Sequence, residues 1–360
     1  MLMFVTHPRI PFLDIDSSDY CLLLGANPLR SNYSIMPVLA VKKRIKDLKA
    51  RGGKLVVIDP RRTETAQLAS EHHFIRPGTD ADIPQVADLL HRHMNRKVSP
   101  EVFARLMNYG WAGEKPHIGM VSEADGQVVG FHGNVYSMRV IDGVERVFGS
   151  FTSIYVLRDW RGEDLGVRMM RTYEERPDIT YTVFDPSKRV HAILESCGFR
   201  DLDHYRFVWQ PGHSATDSGV EVITDHDSIR PLVGTEEQRY LDDHRDLTAH
   251  PVLLRDAQGQ VLCFFLRQDR GDKGFCHDLI YTGDPAALAR MIDGAADTIM
   301  GNDPRARLIV DERFLDGHPV GGTRIPLPYR RMVRRADPPL PDWRVDHLYT
   351  ETVLIDLKLG

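Results

Sequence analysis

The chain has 360 residues, 42% hydrophobic and 27% charged, the balance of a globular protein of roughly two or three domains. Its 46 basic and 51 acidic residues leave a formal charge of −5, which excludes the basic footprint of a nucleic-acid binder and any attraction to an anionic membrane. Four cysteines (Cys21, Cys197, Cys263, Cys276) stand far apart with no C-x-x-C pair, so no disulfide framework and no metal site is expected. The opening MLMFVTHPRIPFLDID lacks the basic and apolar regions of a signal peptide, and no apolar run reaches the ~20 residues of a membrane span. A cytoplasmic protein is expected.

In chain order, residues 20–75 read as a βαβ unit. YCLLL (Tyr20–Leu24) is a short buried strand, and Gly25–Pro28 turns the chain. Ile35 to Ala50 is an amphipathic helix with Lys42, Lys43, Arg44, Lys46 and Lys49 on its wet side. Gly52-Gly53 ends it, and KLVVI (Lys54–Ile58) is a second strand, parallel to the first. Asp59-Pro60-Arg61-Arg62 follows at its C-terminal end, where open α/β sheets take ligands.

From about Phe74 the pattern changes. Asp80 to Arg96 is a periodic helix through Ile83, Val86, Leu89 and Leu90. Val121–Glu123 and Val128–His132 form a hairpin across Ala124-Asp125-Gly126-Gln127. A strand Phe151–Leu157 leads through Asp159-Trp160-Arg161-Gly162 into a helix, Asp164 to Glu175, which Pro177 stops. A strand (Ile179–Phe184), a helix (Lys188–Cys197) closed by Gly198, and a strand (Tyr205–Trp209) complete a mixed α/β domain.

The polar stretch PGHSATDSG, residues 211–219, reads as a linker. Beyond it the order repeats: helix Ser228–Tyr240, strands Pro251–Arg255, Val261–Arg267 and Phe275–Tyr281, helix Pro285–Met300, strand Arg307–Asp311, and a terminal strand Tyr349–Leu357. ADGQVVGFH (Ala124–His132) and AQGQVLCFF (Ala257–Phe265) agree at five of nine places, which points to an internal duplication.

Strand, Arg161-Gly162-Glu163-Asp164-Leu165-Gly166, then helix: this order offers backbone N–H groups at a helix N-terminus, a setting that favours a pyrophosphate. The segment resembles the acyl-CoA-binding loop of the GNAT acyltransferases, with Arg161 and Gly166 at its first and sixth places. Asp164 departs from the glycine of the fourth. Glu195-Ser196-Cys197-Gly198-Phe199 resembles the family's helix ending in Gly-Phe, and Ile75-Arg76-Pro77 with Asp80-Ala81-Asp82 its opening strand and helix. The resemblance implies that Val156, Arg161, Gly162, Leu165 and Gly166 hold acetyl-CoA or another acyl-CoA. Leu194 stands where the family often places a tyrosine acid. The proton-transfer candidates are therefore His132 and Glu123 on the hairpin and His191 on the following helix, since imidazole exchanges protons near neutral pH.

The first 80 residues are similar to another family, the molybdopterin-dinucleotide oxidoreductases. Leu24-Gly25-Ala26-Asn27-Pro28, Val57-Ile58-Asp59-Pro60-Arg61-Arg62-Thr63-Glu64-Thr65 and Ile75-Arg76-Pro77-Gly78-Thr79-Asp80 carry the likeness. It implies dinucleotide contacts for Gly25, Asn27, Asp59, Arg61 and Asp80. Iron–sulfur cysteines and the domains that enclose such a cofactor are missing, and a fusion is expected near Ile75.

The expected fold is mixed α/β: tandem acyl-CoA N-acyltransferase-like domains, residues 74–210 and 220–360, the second degenerate, with a Rossmann-like βαβ appendage over 1–73. The expected function is acyl transfer from acyl-CoA to an amine of a small molecule or sugar. A catalytically inactive binding module of the same fold and an oxidoreductase fragment are the alternatives.

Overall fold

The computed structural model describes residues 15–24, 27–30, 40–59, 62–112, 115–124, 126–163, 165–213, 218–271, 274–301 and 303–355. The first-half strands are β1 (Tyr20–Leu24), β2 (Lys54–Ile58), β3 (Glu71–Pro77), β4 (Gly119–Ala124), β5 (Gln127–Ile141), β6 (Val144–Val156), β7 (Ile179–Val183) and β8 (Arg200–Trp209). The second half supplies β9 (Glu221–Ile223), β10 (Ala249–Asp256), β11 (Gly259–Asp269), β12 (Phe275–Thr282), β13 (Arg307–Asp311) and β14 (Thr323–Arg334). The early helices are α1 (Val41–Ala50), α2 (Glu64–Leu68), α3 (Ile83–Leu89), α4 (Pro100–Arg105), α5 (Leu165–Arg171) and α6 (Lys188–Ser196). The later ones are α7 (His226–Ile229), α8 (Thr235–His244), α9 (Pro285–Met300) and α10 (Glu351–Ile355).

All these strands join one 14-stranded sheet in the order β1-β2-β3-β4-β5-β6-β7-β14-β8-β13-β12-β11-β10-β9. From β3 to β6 each strand is antiparallel to the next, and β6 is parallel to β7. The run β9 to β13 has the same succession, three antiparallel steps closed by the parallel pair β12·β13. The halves then exchange their last strands: β8 pairs with β13, β14 pairs with β7, and β8 and β14 pair with each other. At the two similar hairpins the turns fall one place apart in the sequence alignment, since Ala124 pairs with Gln127 but Asp256 with Gly259.

Local chemistry sets these elements. Asp284 accepts hydrogen bonds from Ala286 and Ala287 N–H and Pro285 opens α9, so this helix begins where the sequence predicts. Ser187 caps α6, and Gly198, at φ +85°, turns the chain out of it. Asp142 and Gly143, both at positive φ, make the tight turn that lets β5 and β6 run on far beyond the predicted strands.

Several expectations need correction. The helix expected over Ile35–Ala50 is seen from Val41, and residues 31–39 lie outside the described part. The helix expected over Asp80–Arg96 is three pieces: a short 3-10 turn, α3 and a wider turn at Leu90–Met94. That expected over Ser228–Tyr240 is split into α7 and α8 around Pro231. The terminal segment forms α10 instead of a strand, because the exchanged β14 already fills the central place in the sheet and the buried Val353 and Leu354 pack into the main core. β14 itself was not expected, since TRIPLPYRRMVR carries two prolines; the pairing with β8 tolerates them by breaking register after Pro326.

The appendage has its own small core of Cys21, Leu23, Ile45, Leu48, Leu55 and Val57, yet it is not separate from the sheet. β3 pairs with β2 through residues 71–73 and with β4 through residues 74–77. Ile58 is its buried contribution to the main core. Deleting residues 1–73 is expected to leave a chain that melts cooperatively a few degrees lower, since one buried side chain and one sheet edge are lost. Aggregation or a non-cooperative melt in calorimetry would show that the appendage is part of the folding unit.

Candidate functional site

The parallel pairing of β6 with β7 stops at Ser150 and Thr182. Beyond it β6 continues along β5, while the chain after β7 leaves through Phe184-Asp185-Pro186 into α6. The strands part, and the edge of β6 that would have met β7 keeps backbone groups without a sheet partner. The resulting cleft has a volume of about 310 Å³. Phe151 to Ile154 form one wall, Val183 and Val190 the other, with Met170 of α5 and Met94 adding apolar surface.

The C-terminal segment closes this cleft with Thr350, Glu351 and Thr352. Thr152 Oγ1 donates a hydrogen bond to Glu351 Oε2, and the Ser153 backbone N–H reaches the same carboxylate. Burial raises the Glu351 carboxyl from the ordinary 4.5 to about 7, the two hydrogen bonds opposing this shift and the nearby Asp185 adding to it. An acid that titrates near neutrality inside an apolar cleft is suited to accept and return a proton.

Of the three predicted proton-transfer residues, only His132 reaches the cleft. It is 2% exposed, packed edge-on against Phe151 and Tyr173, and burial lowers its pKa to about 3, so it stays neutral. An imidazole so reluctant to charge is a poor proton acceptor at neutral pH. Glu123 is bound to Arg76 at 3.1 Å beside Asp82, and it is absent from the cleft lining. His191 Nε2 lies 2.8 Å from Asp201, which Arg330 also holds at 2.8 Å, so this histidine ties α6 to β8.

The predicted phosphate loop lies between β6 and α5. The turn Arg158–Glu163, which includes Gly162, joins them, and Asp164 lies outside the described residues. Arg161 is exposed; its Nε donates to the Val156 carbonyl at 2.9 Å and its guanidinium covers the Tyr155 ring. A Cβ on Gly166 would meet only Ile154 and Val156 at ordinary distances of 3.7 and 3.8 Å, so alanine would fit there. Leu165 is a core residue, 1% exposed. Leu194 is fully buried, and among the described residues no acid of α6 lines the cleft.

Glu351 and Thr152 were missed. The only sequence signal was a single acid inside the apolar run HLYTETVLI, where a charge must find a reason to be buried.

In the appendage, Gly25 and Arg61 lie outside the described residues. Asn27 donates to Glu64 at 2.8 Å and accepts from Thr65 at 2.7 Å, pinning its loop to α2. Asp59 is buried at the end of β2, and Asp80 opens the turn before α3, where Thr79 and Asp82 cap one another.

Residues 6–98 match the profile of the molybdopterin oxidoreductases, a stretch that runs past the appendage into β3 and α3. Over 73 residues the chain is 33% identical to the periplasmic nitrate reductase of Desulfovibrio desulfuricans, which is 20% of this chain and 9% of that enzyme. Among solved structures, a probable N-acyltransferase of unknown function from Enterococcus faecalis V583 is similar over 74% of this chain and 73% of its own, with 11% identity and a TM-score of 0.51. A GCN5-related N-acetyltransferase from Anabaena variabilis is similar over 73% and 72% respectively, with 10% identity and a TM-score of 0.48. The likeness to the Enterococcus protein places this chain in the acyltransferase fold.

Proposed function

We propose that the chain is an acyl-CoA-dependent N-acyltransferase whose site is the cleft between β6 and β7, built on a duplicated acyltransferase unit. One observation carries this reading: the unpaired edge of β6 faces an apolar cleft that holds Glu351, the acid raised to about 7. The fit to a pantetheine arm is supported by two buried polar atoms in the cleft lining, Ser153 Oγ and His132 Nδ1, that have no hydrogen-bond partner among the described residues. An extended chain carrying amides would satisfy them along with the β6 backbone groups that have no sheet partner, apart from the Ser153 N–H that Glu351 holds.

In the transfer, the amine nitrogen of the acceptor attacks the thioester carbonyl. The N–C bond forms, the C–S bond breaks, and the thiolate leaves with the bonding electron pair. The amine proton passes to the Glu351 carboxylate, and backbone N–H groups of β6 polarise the carbonyl. Glu351, once protonated, can return that proton to the thiolate, a role that no tyrosine on α6 fills here.

The molybdopterin match adds no chemistry to this proposal. Asn27, Glu64 and Thr65 spend their polar groups on one another, and Cys21, Cys197 and Cys263 are buried apart from each other. The described residues of the appendage do not fit a dinucleotide-bound metal centre.

Calorimetric titration of acetyl-CoA into the full chain tests the proposal, with Arg161→Ala as the second sample. Arg161 stands against Tyr155 and Val156, the residues of β6 that follow the cleft wall; a charge-assisted bond from it to a diphosphate would contribute about 1.5–3 kcal/mol, so the variant should bind roughly ten- to a hundred-fold more weakly. Unchanged affinity would reduce Arg161 to a cap on the Val156 carbonyl. Leu194 favours a second reading, a module that binds acyl-CoA without turnover. Thiol release on mixing acetyl-CoA with amines separates the two.

A further inference from the structure

β12 repeats the geometry of β6. The parallel pairing of β6 with β7 stops at Ser150 and Thr182, and that of β12 with β13 stops at Asp278 and Ile309. Just beyond, each of the two strands carries one extra residue against its antiparallel neighbour, β6 between Phe151 and Ile154 and β12 between Leu279 and Tyr281. Such a bulge bends the strand away from its parallel partner. The second half therefore opens a cleft of its own, and the difference lies in what fills it.

Residues 345–348 of the same chain lie there. His347 donates its backbone N–H to the carbonyl of Ile280, the extra residue of β12, at 2.9 Å. Arg313 Nε donates to the Val345 carbonyl at 2.8 Å, and His244 Nε2 lies 2.8 Å from the Leu348 carbonyl. The space left is about 100 Å³, against about 310 Å³ in the first cleft. The buried His347 ring stacks on Phe184 with centroids 3.6 Å apart, and Phe184 lines both spaces. Burial and the neighbouring arginines keep this imidazole neutral. Thr350 Oγ1 donates to the His347 carbonyl at 3.0 Å, and Glu351 is the next residue. α10, which starts at Glu351, has five residues and is too short to hold its place unaided.

We propose that the second half is a clamp and not a second acyl-CoA site: residues 345–348 fill its cleft as a bound chain would, and His347 is the positioning residue that holds Glu351 against Thr152 in the first cleft. The consequence for catalysis rests on the acyl-transfer reading, whereas the seating does not. Loosening the seat lets water reach the Glu351 carboxyl, whose upward shift comes first from burial. The other titratable groups lining that cleft, Asp185 and the neutral His132, lie outside the clamped segment.

Carboxyl-carbon NMR of the full chain, titrated across neutral pH, tests the proposal on the natural sequence, His347→Ala and His347→Phe, with Glu351→Gln identifying the resonance. Glu351 should titrate at about 7 in the natural chain and move at least halfway towards 4.5 in His347→Ala. His347→Phe should keep the natural midpoint, because a phenyl ring fills the seat and stacks on Phe184 as the neutral imidazole does. A residue that served stability alone would lower Tm without moving this midpoint. In the natural chain the His347 amide should resist hydrogen exchange as β12 does, and acetyl-CoA should bind once per chain; both checks stand even if His347→Ala does not fold. A midpoint near 4.5 in the natural chain, an unmoved midpoint in His347→Ala, an equal fall in His347→Phe, a freely exchanging His347 amide, or two acetyl-CoA per chain would overturn the clamp. A chain that shows the expected titration and exchange but binds no acetyl-CoA keeps the clamp and loses the acyl-transfer reading. One that turns over acetyl-CoA with a midpoint indifferent to residue 347 loses only the clamp.

Discussion

Glu351→Gln is expected to slow acyl transfer about a hundred- to ten-thousand-fold, the usual loss of a positioned general base. Acetyl-CoA affinity should change little, because the amide keeps the Thr152 and Ser153 contacts in shape. In the natural chain the rate should rise with pH through about 7 and level off above it, as the carboxyl loses its proton. The variant should lack that limb. Stability follows the same group with the opposite sign. The folded chain keeps a proton on Glu351 that the unfolded chain releases from 4.5 upward, so its contribution to stability falls as pH rises between about 4.5 and about 7. The melting temperature of Glu351→Gln relative to the natural chain should therefore be higher at pH above that window than below it. A rate profile flat across neutral pH, or a variant with full activity, would remove Glu351 from the chemistry.

Arg139→Met is expected to cause the largest loss of stability. Arg139 and Asp346 are 3% and 4% exposed and ion-paired, joining β5 to the segment that carries Glu351 five residues later. The guanidinium also lies over the rings of Phe148, Tyr349 and Tyr240 at 4.5, 5.5 and 5.7 Å. Without it, Asp346 keeps only the Leu348 N–H at 3.0 Å as a named donor. Stranding one charge of a buried pair costs about 3–5 kcal/mol, which for a chain of this size is a fall of roughly 5 °C in Tm. The double variant Arg139→Met, Asp346→Leu should recover most of that loss, because no charge is then left unpaired. A single variant that melts within a degree of the natural chain would contradict the ion pair's structural role.

Elements whose ends are written in local chemistry were legible in the sequence. β2 and β13 were found to the residue as short apolar runs, and α9 by its Asp284-Pro285 start. What failed depended on distant parts of the chain. β14, with four arginines and two prolines, reads as a loop, and only the vacancy between β7 and β8 makes it a strand. The apolar end of the chain reads as a strand until that place is taken. The exchange of β8 and β14 has no sequence mark, since pairing partners lie about a hundred residues apart or more and register is set by packing. The proposed site was half visible for the same reason. The turn that carries Arg161 is marked by its spacing, whereas Glu351 meets Thr152 only through the fold, at a separation of 199 residues.

A crystal structure of the full chain with CoA tests the central claim most directly. The account predicts the pantetheine arm between residues 150–156 of β6 and residues 183–187, its thiol beside Glu351 and its diphosphate near Arg161. CoA bound elsewhere, or a cleft still empty at saturating CoA, would contradict it.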